Sequence, residues 1–331
     1  MPEGPEVRTM TDNVANFITG GTLISVTLRV PEFGKKTKGL DLLEKDLPLG
    51  VTAVESKGKF CYITLSNGRA IGVTFGMSGN IRVDPDEAEL ARRKETRDKY
   101  LKHAAVAFEY LDSAGDGPYV FYYHDTRRFG SVHYMTDREL KTKLNALGPS
   151  IMDTEPLTLD ALVKRWRRHN GKDVCTVLMN QDLVSGIGNY LKSTILYECR
   201  VYPMALLKDL DDQTLYAMYE CARSWAQRAY DAGGASLYTY TGLHGDRSDV
   251  KTELPTYDKA YDPDGRRVLK TDTPDKRTTH WVVEVQTKGA PEVDDVEDIP
   301  VVVPKGPVLM RPKKVQVKLR PKLPVKDRLV L

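Results

Sequence analysis

Two textures divide this chain, and that division bounds its architecture more tightly than any single residue. Up to Tyr134, short strand-like runs dominate: Thr22–Val30, Val51–Ser56, Lys59–Leu65, Ala70–Phe75, Ile81–Val83, Ala104–Leu111, Val120–Tyr123 and Ser131–Tyr134. Gly, Pro, Asn and Asp clusters punctuate them, the pattern of a compact antiparallel sandwich or barrel. A helix precedes them over Pro5–Phe17, because Val7, Met10, Val14 and Phe17 recur at helical spacing. The charged insert Pro85–Lys99 is expected to be a solvated helical excursion. Around Leu147-Gly148-Pro149 the pattern changes, and helical periodicity runs from Leu157 to about Ala232. Within it Asp209–Tyr230 reads as one amphipathic helix with Leu215, Met218, Tyr219, Ala222 and Trp225 on one face. A loop rich in Gly, Tyr and Thr (Gly233–Pro255) leads to a second β signal, in which Tyr257–Tyr261 and Thr278–Val285 flank the turn-forming Asp262-Pro263-Asp264-Gly265.

The 331 residues suffice for two compact domains plus additional chain. No run approaches the ~18 apolar residues of a membrane span. The opening Met1-Pro2-Glu3-Gly4-Pro5-Glu6 lacks the basic start and apolar core of a secretory signal. An intracellular protein is therefore expected. Cys61, Cys175, Cys199 and Cys221 are scattered, with no CxxC pair and no His at ligand spacing, so neither a disulfide framework nor a structural metal is expected. The net charge of +3 conceals a segregation. Lys305–Leu331 carries nine Lys/Arg against Asp327 alone, and Thr287–Pro304 carries five acids against Lys288. Setting those +8 and −4 segments aside leaves residues 1–286 at −1. Only the tail looks like a polyanion binder, and a nucleic-acid site in the body must be a local patch. The tail mixes Pro, Val and Lys without a period, so 287–331 is expected to be disordered.

Chemistry concentrates at the start of the chain. Removal of Met1 would expose Pro2 as a secondary amine. An α-amino group titrates near ~7.7–8.0, far below lysine, so more of it than of a lysine is unprotonated at neutral pH. Such an amine attacking a sugar C1′ gives an iminium ion, the Schiff-base route of covalent catalysis. Glu3 and Glu6 lie beside it, and a carboxylic acid there can protonate a ring oxygen or shuttle protons. By itself the hexapeptide is equally a proline-stiffened terminus ahead of a helix.

Further motifs follow in order. Ser56-Lys57-Gly58-Lys59-Phe60 places lysines in a turn between strands, within reach of a phosphate. Phe75-Gly76-Met77-Ser78-Gly79 and Asp125-Thr126-Arg127-Arg128-Phe129-Gly130 combine apolar and cationic residues in loops. Gln181-Asp182-Leu183-Val184-Ser185-Gly186-Ile187-Gly188-Asn189-Tyr190 sets two glycines before a helix start, where unpaired N–H groups make a phosphate seat. Asp275-Lys276-Arg277-Thr278-Thr279-His280-Trp281 lies in the second β signal. Together, across roughly residues 1–286, these resemble the formamidopyrimidine-DNA glycosylase and endonuclease VIII family. No cysteine occurs between 222 and 331, so the last motif is similar to the zincless finger of eukaryotic and giant-virus members rather than to the four-cysteine finger of bacterial ones.

The resemblance implies an α+β fold. It comprises an N-terminal antiparallel β-sandwich domain with an N-terminal helix (1–148), a linker (149–156) and a helix–two-turn–helix domain (157–256). A zincless hairpin finger follows (257–286), held by Tyr257, Tyr261, Val268, Trp281 and Val283. It implies a bifunctional DNA glycosylase and abasic-site lyase of base excision repair, needing no cofactor. Pro2 would be the nucleophile, Glu3 the acid, Glu6 its support and Lys59 the catalytic lysine. Asn189, Arg277 and Lys57 would contact DNA phosphates, and Met77, Arg127 and Phe129 would fill the space left by an extruded base. The partner is double-stranded DNA carrying an oxidised base or an abasic site, bound by a monomer. The zincless hairpin favours oxidised pyrimidines and hydantoins. The loop Gly233–Glu253 instead resembles a lid over 8-oxoguanine. Cys175 stands where many bacterial members carry lysine. A non-catalytic damaged-DNA binder on the same scaffold is the alternative from another class, and an RNA-binding relative of the helical motif leaves the N-terminal half unexplained.

Overall fold

The computed structural model describes residues 2–94, 96–234 and 253–291. Helix α1 (Gly4–Ile18) opens the fold and buries Val7, Met10, Val14 and Ile18. Phe17, expected on that face, is exposed. Successive helical side chains are about 100° apart, and Ile18 takes the inward position in its place.

Strands β1 (Thr22–Leu28), β2 (Thr37–Lys38), β3 (Leu49–Lys57), β4 (Phe60–Leu65), β5 (Ala70–Thr74), β6 (Gly79–Val83), β7 (Ala104–Leu111), β8 (Tyr119–Asp125) and β9 (Ser131–Met135) build the N-terminal half. They hydrogen-bond in the order β2-β9-β5-β4-β3-β1-β7-β8-β6. β1 meets β3 only through Thr22 opposite Gly50 and Leu23 opposite Leu49, so the sheet divides there into two leaves. The leaves close over one core in which Leu23, Phe108 and Phe121 meet Ile63, Ile71 and Val73, with α1 against β3. The alternating burial of β4 is what a half-buried strand requires. Helices α2 (Leu40–Asp46), α3 (Glu87–Arg93), α4 (Arg97–Leu101) and α5 (Asp137–Ala146) are peripheral, and α3 with α4 forms the expected helical insert.

The second core belongs to α6 (Leu159–Trp166), α7 (Val174–Met179), α8 (Asn189–Glu198) and α9 (Asp212–Asp231). The Asp173 and Asp211 carboxylates accept from Thr176 N and Thr214 N and set the starts of α7 and α9. That cap places the start of α9 three residues after the expected Asp209. Leu215, Met218, Tyr219 and Ala222 are buried as anticipated, and Trp225 is half-buried. Residues 149–151 are tied down by Ser185 N donating to Pro149 O and Ile151 N to Ser185 O.

The hairpin pairs β10 (Leu269–Thr273) with β11 (Arg277–Trp281), not Tyr257–Tyr261 with Thr278–Val285. The Asp262 carboxylate accepts from the N–H groups of Asp264 and Arg266 and folds 262–266 into a loop, leaving one bridge, Tyr261 to Arg267. Val268, Trp281 and Val282 are buried and Tyr257 is half-buried. Tyr261, expected to pack, is 64% exposed, and Val283 is half-buried with Val282 inside instead. Chain order continues past the expected start of disorder. Lys288 N donates to Arg200 O, and Lys288 O accepts from Tyr202 N. The acidic and basic tail beyond 291 and most of the expected lid loop (235–252) lie outside the described residues.

Candidate active site

The first turn of α1 and the first turn of α8 are joined by one carboxylate. Glu3 Oε2 accepts from Gly188 N at 2.7 Å and from Leu191 N at 3.3 Å, and Oε1 accepts from Tyr190 N at 2.8 Å. These are the unpaired donors of a helix start, where negative charge is favoured. The close approach requires glycine at 188, because a Cβ there would stand 2.2 Å from the Glu3 carboxyl carbon. Gly4 N donates to Gly186 O, a second tie between the two segments. Glu6 completes the arrangement, accepting from Glu3 N at 2.8 Å and from the Tyr190 hydroxyl at 2.9 Å. Pro2, buried, precedes Glu3 directly. The helix start that the sequence offers as a phosphate seat is thus occupied by the protein's own carboxylate.

Lys59 follows Gly58 in the turn between β3 and β4. Gly58 has φ +58, and a Cβ on it would meet Ser185 at 2.5 Å, so the turn lies directly against the loop that leads into α8. Burial raises the Glu3 carboxyl to about 7; Lys59 and the backbone N–H groups oppose that rise, and Glu6 adds to it. Burial lowers Lys59 to about 8; Glu3 opposes the fall, and the Arg277 guanidinium reinforces it. Lys59 therefore lies within the electrostatic reach of Glu3, Glu6 and Arg277 together. A carboxyl that holds its proton near neutrality is suited to acid–base work.

Asn189 and Lys57 do not stand as the sequence suggests. Asn189 Nδ2 donates to Thr278 O of β11 at 2.9 Å, so the side chain faces the hairpin, and its Oδ1 is buried without a partner. Lys57 Nζ donates to Leu144 O at 2.9 Å in the last turn of α5. Leu144 O also accepts from Leu147 N, so Lys57 adds a second, cationic donor at the end of α5. Arg277 begins β11 with its side chain exposed.

Met77 lies in the β5–β6 turn, and Arg127 and Phe129 lie in the β8–β9 loop. Arg127 Nη1 is 3.7 Å from Met77 Sδ, so the structure brings those two together. Phe129 is 59% exposed at the surface of its loop. Asp125, buried, stitches the loops: it accepts from Ser78 Oγ, Arg127 N and Gly130 N. Asp125, Tyr190 and Lys192 were not singled out from sequence. Tyr190 immediately follows Asn189 in a motif already noted. Tyr257, expected to help hold the hairpin, has its ring 6.4 Å from Tyr190 and 4.8 Å from His280. Lys192 sits on a buried helix face, a position that sequence alone gives no reason to separate from a solvated one.

Comparison with known proteins places this geometry. Residues 1–132 match the formamidopyrimidine-DNA glycosylase N-terminal domain, and residues 147–241 match the formamidopyrimidine-DNA glycosylase H2TH domain. The formamidopyrimidine-DNA glycosylase of Heliobacterium modesticaldum is 28% identical over 272 residues, covering 80% of this chain and 91% of its own. That of Alcanivorax borkumensis is 27% identical over 292 residues, covering 86% and 100%. Among solved structures, a Lactococcus lactis FPG mutant bound to Fapy-dG-containing DNA superposes with a TM-score of 0.72 at 23% identity, over 87% of this chain and 100% of that one. The Thermus thermophilus MutM protein does so with a TM-score of 0.70 at 23% identity, over the same shares. At such identity the solved structures speak for the fold. The two domain matches, contiguous in order and together spanning more than half of the sequence, speak for descent: the chain belongs to the formamidopyrimidine-DNA glycosylase family.

Proposed function

We propose that this protein is a bifunctional DNA glycosylase and abasic-site lyase of base excision repair. It removes an oxidised base from duplex DNA, oxidised pyrimidines and hydantoins before 8-oxoguanine, through Pro2 as an N-terminal nucleophile. Residues 1–148 carry the nucleophile and the void-filling loops, 157–256 the helical phosphate-facing half, and 257–286 a zincless finger. The observation that carries the reading is the buried Glu3 carboxyl, adjacent to Pro2, beside Lys59 and raised to about 7.

The steps follow from that placement. With Met1 removed, the Pro2 nitrogen lone pair attacks C1′. The bond from C1′ to the base breaks with its electron pair going to the base, and the base leaves with the proton that the Pro2 nitrogen sheds. The sugar ring opens as O4′ leaves C1′ and takes a proton from Glu3, giving an iminium between Pro2 and C1′. Loss of a C2′ proton then expels the 3′ phosphate, and a second elimination expels the 5′ phosphate. Hydrolysis of the iminium returns the free amine. Lys59 balances the Glu3 carboxylate formed in ring opening, and Arg277 meets a phosphate. Met77, Arg127 and Phe129 occupy the space vacated by the flipped nucleotide, whose extrusion costs a few kcal/mol and least for a damaged base. The solved relatives include complexes with DNA containing Fapy-dG and with DNA containing THF, which supports a DNA substrate here.

Borohydride trapping tests the reading. The protein is mixed with a duplex containing one abasic site, reduced, and the cross-linked peptide is mapped by mass spectrometry. A cross-link at Pro2 is the expected result. Its absence, from protein shown to begin at Pro2, leaves the non-catalytic binder in its place. A panel of duplexes bearing oxidised pyrimidines, hydantoins or 8-oxoguanine then ranks the lesions.

A further inference from the structure

Lys192 is the one lysine among the largest fully buried side chains, and neither the nucleophile nor its acid needs it. It lies on α8 three residues after Asn189, so the two side chains share a face of that helix. Both reach the hairpin. Lys192 Nζ donates to Asp275 Oδ2 at 2.6 Å, with the lysine and aspartate side chains 0% and 4% exposed. Asn189 Nδ2 donates to the carbonyl of Thr278. The two contacts fall on either side of Arg277, two residues before it and one after. A third tie comes from Thr273, whose hydroxyl donates to Arg277 O at 2.8 Å and lies 2.8 Å from the Thr279 hydroxyl. Ser193, next along α8, accepts from His280 N at 3.3 Å. The Arg277 backbone is thus pinned while its guanidinium stays exposed.

The helix that pins it is the same helix whose first turn is capped by Glu3. Through α8, the reacting end of the chain and the arginine are referred to one rigid body. A buried ion pair is a demanding way to fasten a hairpin, because each charge is badly placed without the other. That demand makes it specific: the turn fits α8 in one register, the one that seats Asp275 on Lys192.

We propose that Lys192 and Asp275 are positioning residues for the glycosylase reaction, an ion-pair latch that fixes the hairpin turn and so sets the Arg277 guanidinium at the height of a DNA phosphate. The inference rests on the function proposed above. It differs from a general stabilising role in what it affects, since the latch acts on the contact of one guanidinium with one phosphate, which the salt dependence of binding reads directly.

The experiment replaces the pair by apolar residues of similar size, Lys192→Met with Asp275→Leu, an exchange that buried pairs often tolerate without loss of stability. Affinity for a duplex carrying a tetrahydrofuran abasic analogue is measured against salt. Loss of one phosphate contact lowers the slope of log K against log salt by about 0.9. The expected result is that drop in the double variant, an equal drop in Arg277→Ala, and no further drop when all three changes are combined. Should the apolar pair fail to fold, Lys192→Met with Asp275→Asn, which leaves no charge buried alone, is read in the same way. A wild-type slope in the folded latch variant, a drop that adds to that of Arg277→Ala, or no drop in Arg277→Ala overturns the latch while leaving the enzyme standing. Wild-type protein that neither binds the duplex nor traps overturns the proposed function, and the latch with it.

Discussion

The Glu3 junction and the Asp125 loops solve opposite problems. At the junction, one carboxylate takes three backbone N–H groups, a second takes a tyrosine hydroxyl, and everything is buried. In the loops, Asp125 does equally dense stitching underneath, while Met77 is half-buried and Arg127 and Phe129 are exposed above it. The difference teaches where rigidity is needed. A proton donor must be held to a fraction of an ångström, so its own side chain is fastened. A wedge need only be delivered to the right place, so its loop is fastened and its side chain is left free.

Changes on the junction side test that division most severely. Pro2→Gly keeps a terminal amine but makes it primary and unconstrained, and cleavage of lesion-bearing duplex is expected to fall the furthest of any variant. Glu3→Gln preserves an acceptor for the α8 N–H groups and removes the proton. Base excision is expected to slow by roughly 10²–10⁴, the usual worth of general acid–base catalysis, with the fold retained by circular dichroism. The pH profile has a definite sign. The working Glu3 is protonated, with its carboxyl near 7, and the working Lys59 is protonated, with its ammonium near 8. Both forms are lost as pH rises, while the Pro2 amine sheds its proton over the same range. The rate on an intact lesion is therefore bell-shaped and already falling by pH 8, and Glu3→Gln removes the lower step of the fall. A wild-type profile still rising at pH 8 contradicts the assignment.

On the loop side the effects are smaller and of another kind. Phe129→Ala is expected to weaken binding to an abasic duplex by ~1–3 kcal/mol, the scale of one aromatic stack on a base. Thermal stability should stay within about 0.5 kcal/mol, since the ring is exposed. Loss of stability instead would place Phe129 with the packed residues and erase the contrast. Lys57→Ala is the smallest: about 1 kcal/mol in urea unfolding, from the lost bond to Leu144 O, with trapping on abasic DNA unchanged. A trapping defect would return Lys57 to the DNA face.

The N-terminal strands other than the two-residue β2 were legible because each carries its burial pattern within itself. β7 runs over Ala104–Leu111 as its apolar run indicates, and β5 and β9 differ from the expected ends by a residue. The hairpin was not, because Tyr257–Tyr261 has strand-forming side chains and yet Asp262 spends its carboxylate on a loop. Within the site, Pro2, Glu3 and Lys59 could be named from their motifs, whereas Glu3 on α8 joins residues 185 and more positions apart, and no local pattern encodes such a pair. The same distance hid what Asn189 faces. Sequence placed it at a helix start, which is right, and left its partner to the fold.

The carboxylate bridge also has a consequence for how this protein comes into being. Pro2, the proposed nucleophile, and Glu3 are made long before the second half of the chain, and Glu3 has no fixed place until Gly188, Tyr190 and Leu191 have followed it out. A nascent or prematurely terminated chain carries the reactive terminus without the geometry that directs it. For an enzyme proposed to break the DNA backbone, assembly order thus acts as a safety catch, released only after synthesis has passed into the second half.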